Sequence, residues 1–267
     1  MMRLFLVFFF FIWAGLAPAE SLRMAVTTSF HNSGLSEVLL PKIKNDTGID
    51  VQLLVVGTGQ ALKLGRSGDV DAILVHSKTA EEAFVSDGYG THRREIMYND
   101  FVLIGPSDDP AGVQFATSAA QALSQIAKAE ARFVSRGDDS GTHKKELSLW
   151  RVAELDATHF GSWYNEVGAG MGASLNTASG LGAYIMSDRA SWLNFGNKDG
   201  LQVLFAGDSA LFNQYAYLPV NPAKHSHVQA DLARRLEDWL TSDTAKSLID
   251  SYTIAGEALF TFNAERR

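Results

Sequence analysis

Ser140 and His143 lie three residues apart in SRGDDSGTHKKELSLW, residues Ser135 to Trp150, with Arg136, Asp138 and Asp139 just ahead of them. These residue types offer two chemistries. A hydroxyl, an imidazole and a carboxylate can form an acyl-transferring nucleophile, whereas an arginine among hydroxyls and glycine can hold an anion. The first reading is poorly supported, because catalytic triads are assembled from separate segments and defined by geometry. No G-x-S-x-G elbow occurs in the chain. His143 instead falls in the first turn of a helix, facing solvent or a hinge. Metal chemistry is no better placed: His225 and His227 form an H-x-H with no third ligand nearby. GTGQALKLG, Gly57 to Gly65, lacks the Gly-Lys-Ser/Thr ending of a phosphate-binding loop. The sequence therefore points away from an enzyme, a cofactor and a bound metal cation.

The anion reading gains from three further turns. TTS at Thr27 to Ser29, GTG at Gly57 to Gly59 and GMGAS at Gly170 to Ser174 each stand, like the Ser135 stretch, between an extended segment and a helix start. The first amides of a helix have no internal acceptor and sit at the positive end of its dipole, so an anion is held there without a full countercharge. Hydroxyls add donors, and glycine lets the backbone come close. Single hydroxyl caps are common in any α/β protein; four such turns together favour an anion site. Arg136 is the one cation among them, and its planar fork suits tetrahedral oxygens.

The elements carrying these turns alternate. Short apolar runs at Leu22 to Thr27, Val51 to Val56 and Asp71 to His76 read as buried strands, each followed by a helical pattern. Asn32 or Ser33 is the expected cap of the helix bearing Leu35, Val38 and Leu39, and Gly48 its end. Alternating strands and helices imply an α/β fold with parallel strands. After Phe101 to Ile104, GPSDDPAG marks a passage into a second domain, and the pattern changes again near Gly207 and Asp208. The expected plan is a discontinuous first domain, 20–105 and 209–267, around a second, 106–208. The ligand cleft lies between them and can close by hinge motion.

Residues Met1 to Ala19 carry one basic residue, Arg3, then an apolar run from Leu4 to about Leu16, then Ala17-Pro18-Ala19. This is the pattern of a cleaved secretory signal peptide, and the run is short of the ~20 residues that a membrane span requires. Removing it leaves 22 Lys and Arg against 30 Asp and Glu, a net charge of −8. Acidic balance with scattered cations excludes nucleic acid as a partner. With no cysteine there is neither a disulfide nor a lipid-anchoring site, and free periplasm is the expected location.

The same residues carry a resemblance. VTTSFHNSGL, VVGTGQALKLG, DAILVH, the run from Asp87 to Pro106, SRGDDSGTHKKELSLW and GAGMGASLN together resemble the tungstate-binding proteins of Tup-type ABC transporters, from about Leu22 to about Phe260. The resemblance implies a two-domain periplasmic-binding-protein fold of type II and delivery of tungstate, with molybdate less favoured, to a membrane permease by a monomer. It implies a site built from Thr28 and Ser29, Thr58, Arg136 with Ser140, Gly141 and Thr142, and Met171 with Gly172 and Ala173. One departure is visible: Val26 precedes Thr27-Thr28-Ser29, and Asn32 stands where the family has an aspartate. Tungstate near neutral pH is a dianion that only accepts hydrogen bonds, so a shell of donors satisfies it. Phosphate keeps a proton and requires an acceptor, for which Asp138 and Asp139 are the candidates. A phosphate- or sulfate-binding transport protein is the alternative, and an exported hydrolase using Ser140 and His143 the rival class.

Overall fold

The computed structural model describes residues 20–138 and 140–265; the expected signal peptide, Met1 to Ala19, and Asp139 lie outside the described residues. The chain opens with β1 (Glu20–Thr27), α1 (Thr28–Asn32), α2 (Leu35–Thr47), β2 (Ile49–Val56), α3 (Thr58–Ser67), β3 (Ala72–Val75) and α4 (Lys78–Ser86). Along β1, Leu22, Met24 and Val26 enter one apolar cluster and Ala25 enters another. The strand is covered on both faces, as parallel strands between helices are. The first cluster lies under α2, the second under α3 and α4. The start of α2 differs from the expectation: its cap is Gly34 in the left-handed region (φ 79°), while Asn32 ends the separate turn α1. A Cβ there would also lie 2.6 Å from the Tyr252 hydroxyl, so glycine serves both backbone and packing.

Parallel register aligns the strand ends. β1 pairs with β2 from Glu20 opposite Ile49 to Thr27 opposite Val56, and with β3 as far as Val26 opposite Leu74. The three strands therefore end level, and the residues just past them, Thr28, Gly57 and His76, share one edge.

β4 (Arg94–Pro106) is a 13-residue strand belonging to both halves of the molecule. Arg94 to Asp100 pair antiparallel with β9 (Phe212–Pro219), whereas Phe101 to Ile104 pair with β7 (Tyr184–Asp188). The remaining elements between β4 and β9 are α5 (Ala119–Lys128), β5 (Phe133–Ser135), α6 (Gly141–Val152), β6 (Tyr164–Glu166), α7 (Met171–Leu181), α8 (Arg189–Asn194) and β8 (Leu201–Phe205). After β9 come α9 (Ala230–Leu240), α10 (Asp243–Asp250), β10 (Thr253–Ile254), β11 (Glu257–Ala258) and β12 (Thr261–Phe262). The path through the strands is β2-β1-β3-β9-β4-β7-β5-β6, with β8 and β12 also paired to β4. The chain thus changes partners inside β4, between Asp100 and Phe101, and returns at Phe212 opposite Asp100. The sequence expectation put these passages at the loop after Gly105 and near Asp208. The change of neighbour falls beside the polar pair Asn99-Asp100 inside a continuous strand, where no turn signal marks it.

The second half has its own apolar clusters, one under α5 and α6 and one under α7 and α8. Trp150 anchors α6: fully buried, it meets Phe133 edge-on at 5.3 Å and Phe160 at 4.9 Å. Aromatic burial of this kind dominates core energetics and fixes where the first turn of α6 points. Among the described residues no helix is long and apolar enough to cross a membrane.

Candidate functional site

Two cavities, of about 410 and 520 Å³, share Thr28, Ser29 and Arg136 in their walls and so form one continuous cleft. Thr58, Ser140, Gly141 and Thr142 line the first. Met171, Gly172 and Ala173 line the second. All ten residues named from the sequence thus border a single space, although they come from four turns spread across the chain.

Each turn is held by local hydrogen bonding. Thr27 Oγ1 accepts the Phe30 amide at 3.2 Å and so shapes α1. The Ser140 hydroxyl accepts the His143 amide at 3.3 Å and caps α6. α3 and α7 begin behind Gly57 and Gly170, which have no side chain to take up the first amides. α3, α6 and α7 run 10, 12 and 11 residues, long enough for aligned peptide dipoles to matter at their starts. α1 is a single turn and contributes hydroxyls.

Arg136 sits where the two cavities meet. One end of its guanidinium pairs with Asp138, and Nε is buried without a hydrogen-bond partner among the described residues. A buried charged donor without an acceptor is costly, so this atom is suited to an acceptor that arrives in the cleft. Burial opposes ionisation of Asp138, but the Ser140 hydroxyl, the Arg136 charge and the Ser140 amide together outweigh it and hold the carboxyl below its usual range. Asp188 borders the second cavity, is buried, and accepts the Ser191 amide at 2.9 Å. Burial raises its pKa, opposed by the Ser191 amide and by the charge of Arg136. Exposed Lys63 and Lys144 also line the first cavity.

His76 and Asp188 did not figure among the residues singled out from sequence. Both were accessible to a simple rule: in open α/β sheets ligands gather at the carboxyl ends of strands. His76 follows β3 by one residue, and Asp188 is the last residue of β7. Burial lowers the His76 pKa to about 4, so the ring is neutral at pH 7.

Beneath the Arg136 turn lies a buried carboxyl, Glu146 of α6. Tyr164 Oη and Trp150 Nε1 donate to its Oε1 at 2.7 and 3.1 Å, and Ser135 Oγ donates to Oε2 at 2.8 Å. Burial raises its pKa to about 7 against these three hydrogen bonds.

The competing chemistries find no support in these contacts. The Ser140 hydroxyl meets the His143 backbone, while the His143 ring faces Glu166 at 3.7 Å. His225 and His227 donate from Nε2 to the carbonyls of Arg66 and Gly68, each at 2.9 Å; they tie β9's outgoing loop to α3.

Strand-end turns from two sheet halves around a shared polar cleft define a binding protein of the periplasmic-binding-protein class, and residues 15–244 match the model of a PBP superfamily domain. The chain is 44% identical over 250 residues to the tungstate-binding protein TupA of Peptoclostridium acidaminophilum, covering 92% of this chain and 87% of that one. The solved structure of TupA from Desulfovibrio alaskensis G20 superposes with a TM-score of 0.87 at 46% identity, over 92% of this chain and 100% of that one. The tungstate ABC transporter structure from Geobacter sulfurreducens gives 0.79 at 46% identity, over 87% and 99%. The chain belongs to the PBP superfamily and, within it, to the TupA family.

Proposed function

We propose that this protein is the substrate-binding component of an ABC transporter, that it holds tungstate in the cleft described above, and that it presents the loaded form to a membrane permease. The observation that carries the reading is Arg136, whose buried Nε faces no protein acceptor among the described residues and lies among strand-end turns rich in hydroxyls and helix amides. The names of the relatives supply the particular ion. Thr28, Ser29, Thr58, Arg136, Ser140, Gly141, Thr142, Met171, Gly172 and Ala173 form the donor shell, with no cofactor and no catalytic step. The mature chain works as a free periplasmic monomer after its signal peptide is removed. Native mass spectrometry of protein soaked in equal tungstate, molybdate, phosphate and sulfate tests this directly. A tungstate adduct is expected; a phosphate adduct in its place would overturn the tungstate assignment and make Asp138 the acceptor that phosphate needs.

The donors divide between the two sheet halves, so ligand closes the molecule about the paired segments near Asp100 and Phe212. A ligand can shift an open-closed equilibrium only through tighter binding to the closed form. Small-angle scattering is expected to show a smaller radius of gyration with tungstate. An unchanged radius alongside proven binding would mean a preformed site and no hinge.

A further inference from the structure

His76 touches both halves of the cleft. Its Nε2 lies 3.1 Å from Ser29 Oγ, its ring leans on Tyr215 with centroids 4.7 Å apart, and a Cβ added to Gly141 would stand 2.8 Å from its Cε1. Ser29 Oγ has two further neighbours, Thr27 Oγ1 at 3.0 Å and the Tyr215 hydroxyl at 3.3 Å. A serine hydroxyl has one hydrogen to give and two lone pairs to receive. If that hydrogen goes to His76, Ser29 turns only lone pairs toward the cleft, and an ion that can only accept is repelled. If His76 donates, and Thr27 or Tyr215 fills the second lone pair, the Ser29 hydrogen is left to point at the ligand.

The surroundings of the ring favour the second arrangement. Nδ1 is buried and makes no hydrogen bond of normal geometry among the described residues, although the Asn213 side chain and the ring's own backbone carbonyl lie near enough to favour the protonated ring. Asn213 gives its own amide nitrogen to Asn99 Oδ1 at 2.8 Å. Neither Asn213 nor that carbonyl reaches hydrogen-bond geometry at Nδ1, whereas Ser29 Oγ does at Nε2, 3.1 Å away, and a buried N–H left without an acceptor is rare, so the ring hydrogen is assigned to Nε2. We infer, resting on the oxyanion reading of this cleft, that His76 is its positioning residue. By donating from Nε2 to Ser29 Oγ, with Thr27 or Tyr215 donating to the second lone pair, it makes Ser29 a donor only, which selects a fully deprotonated oxyanion over one that still carries a proton.

The test begins with unaltered protein. Long-range ¹⁵N–¹H NMR at pH 7 with saturating tungstate reads the tautomer of each histidine, the His76 signals being those absent from His76→Gln. The Nε2–H tautomer is expected, and Nδ1–H would overturn the inference. Calorimetry then compares variants. His76→Ala is expected to weaken tungstate binding about tenfold. His76→Gln, whose amide nitrogen can still donate, should stay within about threefold of the unaltered protein. Placed on Ser29→Ala, His76→Ala should add less than about twofold, because residues acting through one another are not additive. A glutamine variant as weak as alanine, or full additivity, would reduce His76 to ring packing and overturn the inference. Unaltered protein with no affinity for tungstate would overturn the oxyanion reading and this inference together, whereas normal binding with a silent His76→Ala would overturn this inference alone.

Discussion

Arg136→Ala is expected to weaken tungstate binding by at least about a hundredfold. Hydrogen bonds to charged groups contribute ~1.5–3 kcal/mol each, and the guanidinium fork can make two to an oxyanion. The substitution also leaves Asp138 and buried Asp188 facing the cleft without the cation that now offsets them, so an incoming dianion meets uncompensated negative charge. Arg136→Lys should restore only part of the affinity, since an ammonium supplies charge but not a planar pair of donors. Competition calorimetry measures both. A dissociation constant unchanged by Arg136→Ala would remove Arg136 from the site.

Glu146→Gln is expected to stabilise the protein at pH 8 by on the order of 3 kcal/mol. Burial raises the folded pKa from 4.5 to about 7, and each tenfold gain in proton affinity corresponds to ~1.36 kcal/mol. A group with a raised pKa binds its proton more tightly when folded. Its contribution is therefore fully present below about pH 4.5 and is lost as pH rises through about 7. Unaltered protein should accordingly show a falling stability across that window, and the glutamine variant a flatter one. Glutamine suits the site because its oxygen can accept from Tyr164 and Trp150 while its nitrogen donates to Ser135, reproducing the protonated carboxyl. Urea unfolding at pH 5 and pH 8 tests this, and equal pH dependence in both proteins would show that Glu146 does not govern it.

Much of the candidate site is legible in the sequence because its turns are local devices. A helix start announces itself through its cap, and a buried strand through an apolar run, so TTS, GTG, SRGDDSGT and GMGAS could be recognised one at a time. Arg136 stood out as the one cation among them. The α/β character followed from the same alternation, since each element must bury its apolar face against the next. These features depend on neighbours within a few residues.

Other features depend on neighbours far along the chain. His76 looks like the end of an ordinary strand in DAILVH; only the parallel register of β1 and β3 brings it level with Thr28, and only the approach of the two halves sets it against Gly141. Asp188 becomes part of the cleft through the pairing of β7 with β4 and β5. β4 exchanges β9 for β7 between Asp100 and Phe101, ahead of the Gly-Pro-rich loop, because ladder partners are set by segments distant in the chain and not by local turn signals. By itself the sequence determined the hydroxyl- and glycine-rich turns, whose amides and hydroxyls are oriented by bonds to residues a few places away. Only the tertiary structure decided which turns border one cleft and which buried groups stand behind them, because those relations are set by sheet register and by packing between segments distant in the chain.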